Sequence, residues 1–327
     1  MDRCQPRGSS SGVALGLLVR QADHLLVLAY DPPMRYGIAL PNFTDVATPQ
    51  AIEAAAAVAE RLGWDAVWTT DHVLVDCSED ADDYRINYDA IETLAWVGAR
   101  HPSVRLGTSV LVVPQRNAVI LAKELATLDA LSGGRVVAGV GVGWNAREFA
   151  NLAAEERFAV RGAYLSETIA LWRHLWSGSP EPFKGRFHAF DDFTFGPLPP
   201  QGASLPIWIG ARTDAALRRV GRLADGYHSS ATSPEAYARR LPVIAAAADE
   251  AGRPMPALSA RVRVEFGPAP AGPSYYAMRG TPDAVAAEVR AYAELGVEDL
   301  ALSFNELPPD ELVAAAERFA AEVAPLL

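Results

Sequence analysis

Cysteine is nearly absent: the 327 residues contain two, Cys4 and Cys77. Two thiols cannot build a disulfide framework or a metal cluster, so a disulfide-stapled or metal-binding scaffold is not expected and a reducing cytoplasm suits the chain. Basic residues are outnumbered, 29 Lys and Arg against 40 Asp and Glu, for a formal charge of −11. That balance lacks the positive footprint that nucleic acid or an anionic lipid surface requires. An anionic ligand would have to be held by backbone donors and a few placed arginines. Long apolar runs are missing as well. None approaches the ~20 residues needed to span a bilayer, so no integral membrane protein is expected. What remains is 50% hydrophobic and 21% charged, with 25 Gly and 24 Pro. This is the composition of a globular protein with ample core.

Residues 1–33 read differently from the rest. Two short apolar stretches, 13–19 and 25–30, are split by Arg20, Gln21, Asp23 and His24. A secretory signal needs one unbroken apolar segment and a small-residue cleavage site, and neither is clear here. From Met34 the text becomes Arg35-Tyr36-Gly37-Ile38-Ala39-Leu40, a start followed at once by a strand. The first 33 residues are therefore expected to be a disordered extension or one not native to the protein, and 34–327 the working domain.

After Met34 one unit repeats, a short β-rich strand followed by an amphipathic helix. Strands are expected at 35–40, 65–70, 104–113, 136–142, 207–210, 226–229, 261–266 and 299–303. Helices are expected at 49–62, around 88–99, at 117–131 and around 163–176, with others after the later strands. Thr48-Pro49, Ser233-Pro234 and Thr281-Pro282 each place a hydroxyl at a helix N-cap and proline at the first helical position. Gly63 and Gly296 stand just past helix ends, where a left-handed residue is wanted. Eight such units point to a (β/α)8 TIM barrel rather than a doubly wound open sheet. The excess length lies between strands four and five, as a Pro-, Gly- and Phe-rich insertion at 177–206.

In such a barrel the chemistry sits at the C-terminal ends of the strands. The second strand ends in Asp71-His72, a pair that could orient one imidazole for proton transfer, or hold a structural histidine. The third, Gly107-Thr108-Ser109-Val110, reads on spacing as ordinary barrel interior. The fourth ends Gly139-Val140-Gly141-Val142-Gly143-Trp144-Asn145. Its glycines would let a flat ligand approach the backbone, or would equally let interior layers pack. The fifth runs through Gly210-Ala211-Arg212 into a helix, whose N–H groups with Arg212 make an anion cradle. An ordinary turn capped by Thr213 or Asp214 is the other reading. The loop after strand two carries Asp76, Glu79, Asp80, Asp82 and Asp83, which is either a solvated stretch or a lid unfavourable to a strongly anionic substrate.

Taken with Tyr36 to Pro41, Trp68 to His72, Leu106 to Val110, Ser132-Gly133-Gly134-Arg135 and the 185–210 stretch, these strand ends occur in a specific order. In that ordered set the chain resembles the luciferase-like monooxygenase superfamily, and more closely its coenzyme F420-dependent oxidoreductases. The resemblance implies a luciferase-like barrel and hydride transfer between the deazaflavin and a small organic substrate. It implies a non-prolyl cis peptide at Ser109-Val110 behind the deazaflavin ring, and His72 in proton transfer. Leu40, Ser109, Val110, Gly141, Gly143, Trp144 and Asn145 would contact the cofactor, with Gly210, Ala211 and Arg212 at its phosphate. A homodimer is also implied, because relatives are commonly dimers. Two departures bear on substrate and cofactor. Trp144 stands where sugar-phosphate dehydrogenases of the group carry glutamate, which argues against that substrate, and Ala211 replaces a second glycine. The alternatives are a two-component monooxygenase using reduced FMN, O2 and a separate reductase, and a non-catalytic flavin-binding barrel.

Overall fold

The computed structural model describes residues 34–267, 275–304 and 307–327. The expectation for residues 1–33 lies outside them. Eight strands form one parallel ring: β1 (Arg35–Ala39), β2 (Ala66–Thr69), β3 (Arg105–Thr108), β4 (Val136–Gly141), β5 (Ile207–Ile209), β6 (Gly226–Ser230), β7 (Ala257–Glu265) and β8 (Asp299–Ser303). The ring closes where β8 pairs with β1, from Arg35 opposite Asp299 to Ala39 opposite Ser303. Around it run α1 (Pro49–Arg61), α2 (Ala90–Gly98), α3 (Ala118–Ser132), α4 (Ala146–Asn151), α5 (Glu155–Trp176), α6 (Asp214–Leu223), α7 (Pro234–Glu250), α8 (Pro282–Glu294) and α9 (Pro309–Arg318).

The period-two alternation of each strand divides its side chains between two environments. On β1, Ile38 and the following Leu40 join the core under the helices. Gly37 faces inward, where a Cβ would come within 2.8 Å of the Trp68 ring. Inside the ring Trp68 stacks on Trp208 at 5.4 Å and on His228 at 4.6 Å. These large rings fit because Gly107 and Gly226 present no Cβ; one there would lie 2.3 and 2.4 Å from them. The N-terminal end of the ring is filled by charge. Asp299 takes both Arg35, at 2.5 Å, and Arg105.

The helix starts form as the sequence implies. Thr48, Ser233 and Thr281 each accept a hydrogen bond from the backbone N–H three residues on. Gly63 and Gly296 adopt φ of 69° and 80°. Since nothing lies within 4 Å of a Cβ built on Gly63, Gly63→Ala isolates the backbone cost. It should destabilise the protein by about 1–2 kcal/mol in urea unfolding.

Several boundaries differ from expectation. β7 begins at Ala257 rather than Arg261, because the small and polar Ala257-Leu258-Ser259-Ala260 still alternates and turns Ser259 inward to His228. α5 begins at Glu155, eight residues before the expected start. The third strand is interrupted: the Ser109–Val110 peptide is cis, and pairing with β4 resumes at Leu111–Val112. Within the insertion a hairpin pairs Phe183–Lys184 with Ala189–Phe190. Its turn is held by Glu167 of α5, which accepts from the N–H groups of Arg186, Phe187 and His188.

Candidate active site

The C-terminal end of β2 is clamped before the chain reaches His72. Asn42, just past β1, accepts from the Thr70 N–H at 2.9 Å and donates to the Thr70 carbonyl at 2.8 Å. Two residues on, His72 is 7% exposed, with Nδ1 2.9 Å from Glu148 Oε2. A carboxylate only accepts, so Nδ1 carries the proton and Nε2 is left for other chemistry. The ring lies 4.1 Å from that of Tyr84 and 5.9 Å from that of Trp144. Trp144 itself is 49% exposed.

Glu148 is 1% exposed and accepts four hydrogen bonds, from His72, Gln115 Nε2 and the N–H groups of Val73 and Leu74. Burial pushes its carboxyl up, but the hydrogen bonds and His72 outweigh that and hold it below the usual carboxylate range. Glu148 is therefore ionised at neutral pH. One carboxylate fixes both the imidazole and the start of the loop after β2.

The sequence pairing of Asp71 with His72 is corrected here. The Asp71 carboxylate turns the other way, to Arg116 Nη2 at 2.5 Å and the Val112 N–H at 2.9 Å. Neighbouring residues on an extended chain point to opposite sides, so Asp71 and His72 cannot both face the mouth. Burial opposes the Arg116 charge, yet Asp71 beside it more than compensates and holds the guanidinium's pKa above its ordinary value. Leu40 is corrected for the same reason. It shares the outward face of β1 with Ile38, is 0% exposed in the helix-facing core, and has no surface to offer a ligand.

The remaining residues stand at the carboxyl ends of β3, β4 and β5. The Val110 side chain lies between two glycines: a Cβ on Gly141 would come within 2.6 Å of Val110 Cγ2, and one on Gly210 within 3.2 Å of Cγ1. Ser109 Oγ is 2.8 Å from His228 Nε2, and His228 Nδ1 is 2.8 Å from Ser259 Oγ. Burial pushes His228 down to about 3, so this imidazole is neutral. Gly143 takes φ of 75°. Asn145 caps α4 by accepting from Arg147 and Glu148 N–H, while its buried Nδ2 has no partner. Beyond Gly210, Ala211 is buried and its carbonyl accepts from Tyr227 Oη. Arg212 is exposed, with one bond to the Ser230 carbonyl. The two readings of the strand-four glycines divide by position. Gly139 serves packing, since a Cβ would sit 1.7 Å from the Thr108 carbonyl oxygen, whereas Gly141 lies against Val110.

Arg261 of β7 ties the parts together. Its Nη1 donates to Thr70 Oγ1 at 2.7 Å and to the Ser109 carbonyl at 3.0 Å. Sequence reasoning missed Arg261, Tyr84, Gln115, His228 and Glu148. Glu148 was hidden by its own pattern, for Asn145-x-x-Glu148 opening a short helix reads as a capping box on a solvated turn.

A closed parallel barrel ringed by helices, with an imidazole, aromatic rings and glycines at the carboxyl ends of its strands, is a TIM-barrel protein. The chain belongs to the luciferase-like monooxygenase family, whose family model matches residues 34–272. An F420-dependent glucose-6-phosphate dehydrogenase of Nakamurella multipartita is 34% identical over 228 residues, which cover 68% of this chain and 64% of the relative. The chain thus spans somewhat less than two thirds of the length of such curated relatives. Among solved structures, the coenzyme F420 dependent tetrahydromethanopterin reductase from Methanopyrus kandleri superposes with a TM-score of 0.75 at 19% identity, covering 90% of this chain and 99% of its own. The oxygenating constituent of 3,6-diketocamphane monooxygenase from Pseudomonas putida, in complex with FMN, gives a TM-score of 0.74 at 14% identity, covering 90% and 98%. At these identities both likenesses are of fold.

Proposed function

We propose that the protein is a coenzyme F420-dependent oxidoreductase that moves a hydride between the deazaflavin and a small organic substrate. The observation that carries this reading is His72, held at Nδ1 by buried Glu148 and flanked by the rings of Tyr84 and Trp144. The residues present fit the cofactor. Gly141 and Gly210 leave a flat platform around Val110, the orphaned Asn145 Nδ2 offers a buried donor, and Arg212 stands before the N-terminus of α6. When bound, the deazaflavin supplies or accepts the hydride. His72 would take the accompanying proton at Nε2 in substrate oxidation, forming an imidazolium that Glu148 stabilises, and would return it in the reverse direction. The rings of Tyr84 and Trp144 lie against the imidazole. Trp144 at the mouth disfavours the sugar phosphate for which the relatives are named.

The likeness to curated F420-dependent dehydrogenases supports the deazaflavin over FMN, whereas the barrel alone is shared with an FMN monooxygenase. Cofactor titration separates them. The purified protein should bind the deazaflavin with a dissociation constant of about 1 μM or below, equivalent to roughly −8 kcal/mol, and reduced FMN far more weakly. Tight binding of reduced FMN with no affinity for the deazaflavin would overturn the proposal in favour of a monooxygenase. Binding of either without turnover would favour a non-catalytic flavin-binding barrel. The exposed free thiol of Cys77 suits a reducing cytoplasm. Among the described residues no helix is long and apolar enough to cross a membrane.

A further inference from the structure

Arginines that lack a carboxylate partner fall into two kinds here. Arg135 is saturated by neutral acceptors: its Nε, Nη1 and Nη2 donate to the carbonyls of Ser132, His101, Val104 and Gly98. It is a structural cation with its donors spent. Arg261 is not. Only Nη1 is engaged, by Thr70 Oγ1 and the Ser109 carbonyl, while no carboxylate among the described residues pairs with it. Desolvation pulls its guanidinium below the ordinary value. A partly buried cation with unspent donors loses hydration that two neutral acceptors return only in part.

The position of Arg261 says what would return it. Its guanidinium carbon lies 5.3 Å from the Phe43 ring centroid, Phe43 stacks on Tyr84 at 5.5 Å, and Tyr84 meets His72 at 4.1 Å. A strip of aromatic faces therefore leads from a cation to the imidazole. The floor proposed for the deazaflavin is built from the ends of β3, β4 and β5. Arg261 reaches across from β7 to the Ser109 carbonyl and Thr70 Oγ1, so its unspent donors lie between that floor and the His72 side of the mouth. Of the acidic residues after β2, Asp82 pairs with Arg85 and Asp76 accepts from Ser78.

We propose that Arg261 anchors a carboxylate on the substrate, so that the natural substrate is a small organic acid with a flat apolar body. This rests on the deazaflavin reading and adds the substrate class to it. The planar edge of a guanidinium matches a carboxylate in geometry as well as charge, and one cation balances a monoanion.

The test is calorimetric binding to deazaflavin-saturated protein, with benzoate as the probe, benzamide as its neutral isostere, and glucose 6-phosphate as a dianion. Wild type should bind benzoate about tenfold more tightly than benzamide. In Arg261→Gln that preference should vanish. Arg261→Lys, which keeps the charge and loses the fork, should retain a smaller preference for benzoate. Wild type that does not distinguish benzoate from benzamide overturns the assignment with no variant needed. So does a preference that survives in Arg261→Gln, or tighter binding of glucose 6-phosphate than of benzoate. Loss of deazaflavin binding in Arg261→Gln would place the anion on the cofactor and also overturn it. Failure of the underlying reading looks different: wild type then binds no deazaflavin, and benzoate against benzamide on the protein alone still decides the role of Arg261.

Discussion

His72→Ala should reduce kcat about 10²–10⁴-fold, the range expected when a positioned general acid or base is removed. It should leave KM within a few-fold, because the aromatic walls of Tyr84 and Trp144 remain. The measurement is deazaflavin absorbance change with a substrate that wild type turns over; unchanged turnover removes His72 from the chemistry. Glu148→Gln should reproduce part of the loss, since a neutral amide keeps the shape but not the charge opposite the imidazolium. It also has a stability signature. The Glu148 carboxyl is lowered in the folded protein from its ordinary 4.5, so its contribution is present above that value and lost as pH falls through the lowered one. The Gln variant should therefore lose less stability than wild type on acidification through that window, as read by urea unfolding.

Asp71→Asn should do the reverse, damaging the fold and sparing the chemistry. Arg116 has two carboxylates, Asp71 with its side chain 1% exposed and Asp89 at 34%. Removing the buried one leaves a largely buried guanidinium half-compensated, at a cost of about 3 kcal/mol. In a domain of this size that lowers Tm by roughly 4–6 °C. The dependence of kcat on pH should keep its wild-type shape. A variant with wild-type Tm and an altered pH profile would return Asp71 to the proton-transfer role that its place next to His72 first suggests.

The contrast between these neighbours marks how far the sequence can be read. A strand terminus rich in titratable groups is visible as text, and His72 is found that way. Which carboxylate faces it is not. Adjacency along an extended chain places Asp71 on the opposite side, while Glu148 arrives from 76 residues away. Trp68 and Trp208 read as strand residues, yet the glycines that make room for them come from β1, β3 and β6.

Local chemistry alone specified the eight strand–helix units, because period-two and helical spacing, hydroxyl–proline caps and glycine stops are short-range signals complete within a few residues. It also specified where to look, since the carboxyl ends of those strands are positions along the chain. Ring closure decided the partners: His72 with Glu148, Asp71 with Arg116, and Arg261 reaching across from β7 to Thr70 and Ser109. Those pairings join residues 45 to 191 positions apart, and no short-range pattern carries such distances.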